Sequence, residues 1–556
     1  MSDTIRAAAA QFHVGADVES NLRKCLEALD QASSCKPDVI VLPEFCNHLS
    51  WYDDIDHCRE VSVAIDGTFL KAIGEKAREL NCWVTTNVTL QRGPTARATG
   101  TSILFDRQGK IRGENTKQIY IGHENDFLDK AHEPGPIIDD ELGKAGMYAC
   151  MDGVIMETPR ALALRGAEVL LNSLNSFASD EGSLHIPVRA AENKIFVVAA
   201  NKVGPLVPEA MVEGISQATG IPARFLSGAG ESQIVAPNGD VIAKASLEVE
   251  EFIFADFDPR DAQNKIRPDG TDVFASRRPE LYAPLAANPE TQQDVSFKGA
   301  NEVLAALANG IESVRSAHQK GARLVAIPPI AGLDERSVGE ALALSQKALQ
   351  QLKDICSQTG GYAGTSLVLD RKSEAMHCAV LVGPNGIELI QPQIHSSKRT
   401  QWSVLGDAII TADLPFGRIA MATSDDTIYP EHFRLLALAG AEIVIAPVAP
   451  LESWELHTGL IERAAENRVN LLAPCKPSPL GRGLAACLQT DFTLLTEWNE
   501  RPFDGLLSQP ELIWMSDEPV TLARLRPANA ANKIVSRGTD LLAGRPWNLI
   551  ESIVQA

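Results

Sequence analysis

The chain lacks any apolar run of the eighteen or so residues that a membrane-crossing helix needs. Its opening residues, MSDTIRAAAAQF, lack the basic-then-apolar layout of a secretion signal. The expectation is therefore a cytoplasmic protein with no membrane partner. Basic residues are also in short supply, with 51 Lys and Arg against 72 Asp and Glu and a formal net charge of -21. A surface of that sign repels phosphate backbones, which argues against a nucleic-acid partner. The ten cysteines include no C-x-x-C pair, and no histidine spacing completes a zinc site. They are expected to be free thiols, mostly packed as small apolar side chains.

What the chain does have is an internal repeat. Residues 143–172 read GKAGMYACMDGVIMETPRALALRGAEVLLN, and residues 417–446 read GRIAMATSDDTIYPEHFRLLALAGAEIVIA. At one offset of 274 residues, Cys150 falls on Ser424, Asp152 on Asp426, Glu157 on Glu431, Arg160 on Arg434 and Gly166 on Gly440. VRAAENKIFVVAAN (188–201) matches ERAAENRVNLLAP (462–474), and NKIRPDGTD (264–272) matches NKIVSRGTD (532–540). PDVIVLPEF (37–45) resembles ARLVAIPPI (322–330) at an offset of 285, so loops between the motifs differ in length. Four matches in the same order identify a tandem duplication.

Each copy mixes strand and helix signals. DVIVLPEF, MYAC, EVLLNS and KIFVVAA read as buried strands, and SNLRKCLEALDQASS carries apolar residues at helical spacing. SILFDRQGKIRGE, SQIVAPNGDVIAKAS and LVGPNGIELIQ read as hairpins around glycine turns. The predicted layering is α/β, with mixed sheets and helices outside them. The Pro- and Ala-rich stretch from about 275 to 295 places the boundary between copies 1–285 and 286–556, although a tail packed across domains has the same composition.

Three residues of the first copy point to nucleophilic chemistry. Cys150 ends a strand and opens a loop toward the helix predicted around 157–165. A strand-to-helix turn exposes a side chain and leaves N–H groups to bind an oxyanion. Glu44 follows a buried strand and Pro43, where desolvation raises a carboxylate's pKa and makes it a base for a thiol. Lys117 follows the first hairpin and can stabilise a tetrahedral intermediate.

Taken together, Pro43-Glu44, Lys117, Cys150-Met151-Asp152, Glu157, Arg160, Gly166-Ala167-Glu168 and Arg189-Ala190-Ala191-Glu192-Asn193 resemble the nitrilase superfamily of carbon–nitrogen hydrolases over most of residues 5–285. The resemblance implies two tandem α-β-β-α sandwich domains forming an intramolecular pseudo-dimer. It implies that Cys150 attacks an amide carbon, forming a thioester and releasing ammonia or an amine. Glu44 would be the base, and Lys117 with the Met151 N–H would hold the oxyanion. Glu124 would be a second glutamate, with Glu133 the other candidate. The family chemistry needs no metal or organic cofactor. Met156 stands where the family usually has proline.

After the nucleophile, true nitrilases continue Trp-Glu. Met151-Asp152-Gly153 is more similar to aliphatic amidases and formamidases, which favours a small amide as substrate. Carbamoyl compounds and nitriles stay open. Trp51, Tyr52, His123, Asn172 and Ser173 are expected around the substrate. In the second copy, Pro329 replaces Glu44 and Ser424 replaces Cys150. The lysine position falls near Ile394 or His395, with Lys398 three residues late. That half reads as a non-catalytic copy serving as a built-in partner, with further homo-oligomerisation not set by the sequence. The competing reading is a binding or scaffold protein dead in both halves.

Overall fold

Short apolar runs buried on both faces form the central strands, as parallel sheets covered on both sides require. In the computed structural model, which describes residues 4–93, 95–291, 296–330 and 337–555, the first repeat supplies twelve strands. They are Ile5–Gln11 (β1), Val39–Val41 (β2), Trp83–Leu90 (β3), Thr99–Phe105 (β4), Ile111–Thr116 (β5), Ile138–Asp140 (β6), Gly143–Ala149 (β7), Val169–Ser173 (β8), Phe196–Ala200 (β9), Gln233–Val235 (β10), Val241–Lys244 (β11) and Glu251–Phe257 (β12). Two six-stranded sheets result, ordered β12-β1-β2-β3-β4-β5 and β11-β10-β9-β8-β7-β6. β1, β2 and β3 run parallel, as do β7, β8 and β9. The hairpins β4–β5 and β10–β11 fall where glycine turns were expected, and Gly109 and Gly239 sit at φ 74° and 87°, a region costly for other residues.

Helices Val18–Ser33 and Thr68–Leu80 cover one face of the first sheet. Cys25, Leu29, Phe69, Leu70 and Ile73 from these helices pack on Ala8, Ala10, Ile40, Val84 and Ile103 from the strands. Glu157–Leu164 and Ile186–Asn193 cover the second sheet. The two sheets face each other, β2 and β3 lying against β8 and β4 and β5 against β7. This is the α-β-β-α sandwich that the resemblance implies.

The second repeat reproduces the order strand for strand. One sheet runs Gly386–Pro392, Glu374–Gly383, Tyr362–Arg371, Leu324–Ala326, Val303–Ala308 and Val520–Leu525. The other runs Thr411–Leu414, Gly417–Met421, Ile443–Ile445, Asn470–Ala473, Leu484–Cys487 and Glu511–Trp514. Its longest helix, Val338–Thr359, starts with a capping box between Ser337 and Glu340.

The compact units exchange segments across the 285/286 cut between sequence copies. The first comprises Met1–Asn264 with Asp491–Leu507 and Ile534–Ile553; the second comprises Lys265–Thr490 with Ser508–Lys533 and Val554–Ala556. The Pro- and Ala-rich stretch therefore packs within the second unit, with Tyr282 and Leu285 buried, while its residues 292–295 lie outside the described residues. All ten cysteines are free, and nine of them are buried. No helix of the described residues is long and apolar enough to cross a membrane.

Candidate active site

The candidate site of the first unit lies at the carboxyl ends of the parallel strands, where the chain leaves the sheet and side chains become available. Past β2, Glu44 is fully buried, and its N–H donates to the Leu174 carbonyl at 3.0 Å. The next residue, Phe45, holds φ at 49° and donates its N–H to Asn87 Oδ1 at 3.0 Å. Past β5, Lys117 donates its N–H to the Gly100 carbonyl at 2.8 Å. Its ammonium bridges two carboxylates, 2.7 Å from Glu44 Oε1 and 2.8 Å from Glu124 Oε2. Glu124 opens the helical turn Glu124–Phe127 and is buried, whereas Glu133 is exposed. Of the two candidates for the second glutamate, only Glu124 reaches Lys117.

Cys150 follows β7 directly and caps the helical turn Met151–Val154. Its backbone sits at φ 46° and ψ -109°, a region that L-residues enter only when their surroundings hold them there. The N–H of Cys150 donates to the Ser173 carbonyl at 3.1 Å and to Asn172 Oδ1 at 3.3 Å. Asp152 joins this elbow to the Lys117 loop, accepting from the N–H groups of Gln118 and Ile119, each at 2.9 Å. From below, Arg189 donates to the Gly153 and Val154 carbonyls at 2.9 and 3.1 Å, which caps the short helix. The Met151 N–H is one of the first amides of that helix, which have no partner within it.

The electrostatics follow from burying three charged groups and a thiol together. Burial pushes the Glu44 carboxyl up to about 7, with Glu124 reinforcing the rise and Lys117 opposing it. Burial works against the charge on Lys117, but Glu124 and Glu44 outweigh it and hold the ammonium well above the usual lysine range. Burial raises the Cys150 thiol well above its ordinary value; Glu44 adds to the rise and Lys117 opposes it. Burial thus disfavours the thiolate, while the Glu44 carboxyl is poised near neutrality within the same charged cluster. The arrangement can move the thiol proton to Glu44 while Lys117 faces developing negative charge.

The residues expected around the substrate divide into two groups. Ser173 Oγ donates to the Leu42 carbonyl at 2.8 Å, so Ser173 and Asn172 hold the Glu44 and Cys150 loops in place. Tyr52 is packed with Phe45, Cys58, Tyr120 and Leu128, and its hydroxyl bonds Thr89 Oγ1 at 2.7 Å. Trp51 stacks on His123 at 4.7 Å between ring centroids, and both rings are half-buried. A cavity of about 470 Å³ beyond β8 is walled by Phe177, Ser179, Arg224 and Phe225.

Two features escaped the sequence reading. Lys202, just past β9, is fully buried, and its ammonium has no hydrogen-bond partner among the described residues. Burial pushes it down to about 8, while the charges of Cys46, Glu44 and Glu124 act in the opposite direction. Nothing in its spacing marks it out. The other feature is the packing around the Cys150 turn. Ile119, Met151, Val154 and Ile155 share a core with Phe492, Trp498, Phe503, Val535 and Leu541, from segments more than 300 residues away in sequence. Ser536 Oγ also accepts the Gly122 N–H at 2.8 Å.

In the second unit the hydrogen-bond pattern locates the lost lysine. Ile394 and His395 donate their N–H groups to Asp426, as Gln118 and Ile119 do to Asp152. The residue equivalent to Lys117 is therefore Gln393, which corrects the placement near Ile394 or His395; Lys398 is exposed and its N–H donates to Thr271. The Gln393 side chain is fully engaged with His377, the His395 carbonyl and Thr400. Ser424 is held by Arg399 and the Ala449 backbone.

A carbon-nitrogen hydrolase profile matches residues 6–267 and again 292–475. Among similar proteins are a nitrilase of Pyrococcus abyssi, 25% identical over 48% of this chain and 93% of its own length, and an N-carbamoylputrescine amidase of Arabidopsis thaliana, 28% identical over 30% of this chain and 54% of its own. Among solved structures, a Nesterenkonia AN1 amidase of the nitrilase superfamily is 23% identical with a TM-score of 0.40, covering 50% of this chain and 95% of that one. Matched by the profile in both of its halves, the chain belongs to the carbon–nitrogen hydrolase family.

Proposed function

We propose that the first unit hydrolyses a small linear amide through a Cys150 thioester, and that the second unit is non-catalytic. The observation that carries this reading is the Lys117 ammonium bridging Glu44 and Glu124, with the thiol of the strained Cys150 within the electrostatic reach of Glu44 and Lys117. In the proposed cycle Glu44 takes the thiol proton as sulfur attacks the carbonyl carbon. Lys117 and the Met151 N–H stabilise the oxyanion. The amine or ammonia leaves with a proton returned by Glu44, which then activates the water that cleaves the thioester. Glu124 holds Lys117 in place. The proposed cycle draws only on these side chains and the Met151 N–H.

The second copy lacks a base, an ammonium and a thiol at the three equivalent positions, which hold Pro329, Gln393 and Ser424. We read it as a permanent partner for the first copy, an intramolecular pseudo-dimer. The placement of 491–507 and 534–553 around the nucleophile turn supports this. An amide is favoured by Met151-Asp152-Gly153. The relatives named nitrilase and N-carbamoylputrescine amidase make nitriles and carbamoyl amides the comparison substrates. The test is ammonia release over panels of small amides, carbamoyl compounds and nitriles, with Cys150→Ala in parallel. Release that survives Cys150→Ala removes the mechanism, and turnover confined to carbamoyl compounds or nitriles reassigns the substrate.

A further inference from the structure

The second unit has lost one set of polar residues and gained another. Around Asp152 the first unit has Ile119 and Thr158; at the equivalent places around Asp426 the second has His395 and His432. One ligand atom from each of His395, Asp426 and His432 lies within 4.8 Å of the other two. All three residues are fully buried. His395 Nδ1 is 2.8 Å from Asp426 Oδ1, and its Nε2 is 2.6 Å from the Tyr282 hydroxyl. The ring stacks on Tyr429 at 3.7 Å and meets His432 edge-on at 5.8 Å.

The anomaly is His432. Neither of its ring nitrogens has a hydrogen-bond partner among the described residues, although the side chain is fully buried. Leaving a buried polar atom unsatisfied costs about 1–3 kcal/mol, and such groups in folded proteins ordinarily have a role. The apolar and hydroxyl residues of the first unit show that this position does not require an imidazole.

We propose that His395, Asp426 and His432 form a binding site for a divalent transition-metal ion of the zinc type. Two imidazoles and one carboxylate suit such an ion and not calcium or magnesium, which take oxygen ligands. In the metal-free protein His395 Nδ1–H donates to Asp426 Oδ1 and the Tyr282 hydroxyl donates to Nε2. An ion at Nδ1 takes that proton's place; the ring then carries its proton on Nε2 and donates to Tyr282, which orients it as an outer-shell partner. Ligand atoms on a zinc ion with bonds of about 2.0–2.2 Å stand about 3.3 Å apart, so modest side-chain movement closes the cluster on a metal. No sequence spacing shows this site, because its ligands come from the loop after one sheet and from the turn and helix after a strand of the other.

The test uses the full-length chain, stripped with a chelator, loaded with zinc or cobalt(II) and desalted. Metal content is measured by mass spectrometry, and cobalt geometry by its visible absorption. The expected result is one ion per chain, with nitrogen–oxygen rather than thiolate charge-transfer character. His432→Thr and His395→Ile, which restore the residues of the first unit, should each weaken occupancy at least about tenfold, and Cys150→Ala should leave it unchanged. The proposal is overturned if the wild-type chain retains no stoichiometric metal, if His432→Thr retains it, or if the cobalt spectrum is that of thiolate ligation. The wild-type stoichiometry and spectrum decide the matter even if a variant fails to fold. The readout is metal and not amide turnover, so its failure is separate from failure of the proposed reaction.

Discussion

The two copies keep the same strand order but differ in where the backbone is strained. In the first, Phe45 and Cys150, the residues at and beside the reactive groups, both have positive φ. In the second, the equivalent Ile330 and Ser424 have ordinary backbone, and Ser424 is absorbed into hydrogen bonds. Lys194 and Arg468, which end equivalent helices in the left-handed conformation, keep it in both copies, at φ 47° and 45°. Strain that terminates a helix survives duplication because folding needs it. Buried charges occur in both units, the second having Arg267 and Arg399 paired with Asp425 and Glu455. The positive-φ elbow, however, stands only beside Glu44, Lys117 and Cys150, which is how strain serving the proposed chemistry should behave.

The largest effect that could break this contrast is at the nucleophile. Cys150→Ala should lower amide turnover at least about 10⁴-fold, whereas Ser424→Cys should create no second activity, because Gln393 and Pro329 supply neither ammonium nor base. A Ser424→Cys burst of acyl-enzyme, read by mass spectrometry, contradicts the non-catalytic reading. Next, Glu44→Gln should cost on the order of 10²–10⁴-fold in turnover. In the wild type, kcat/KM should fall about tenfold per pH unit below about 7, since protonated Glu44 cannot take the thiol proton. A flat profile from pH 5 to 8 would falsify Glu44 as the base.

Asp152→Ala and Asp426→Ala sharpen the comparison. Each leaves two buried main-chain N–H groups without an acceptor, and each should cost about 3 kcal/mol in denaturant unfolding. Only Asp152→Ala should also lower turnover of the folded enzyme, because only there does the aspartate hold a lysine loop against a nucleophile. The smallest effect is expected for Ser424→Ala, within about 1 kcal/mol in stability and neutral for activity.

Much of this was legible in the residues. The repeat, the strands, the glycine hairpins and the Glu44, Lys117 and Cys150 set each have a local signature or a motif. Glu124 could be separated from Glu133 only by burial and by its reach to Lys117. Lys202 stayed hidden because a lysine two residues past a strand looks like any solvated lysine until the sheets close over it. The lysine position of the second copy was misplaced because loop lengths drifted, and only the N–H groups bound to Asp426 restored the alignment.

By itself the sequence determined the duplication, the α/β layering and the chemical types available to the first half, since periodicity, turn residues and motif order act over short stretches of chain. Tertiary structure alone decided which carboxylate meets the lysine, which segments pack around the Cys150 turn, and that two histidines gather around Asp426. Those outcomes depend on burial and on contacts between residues tens to hundreds of positions apart, and neither is encoded in local spacing.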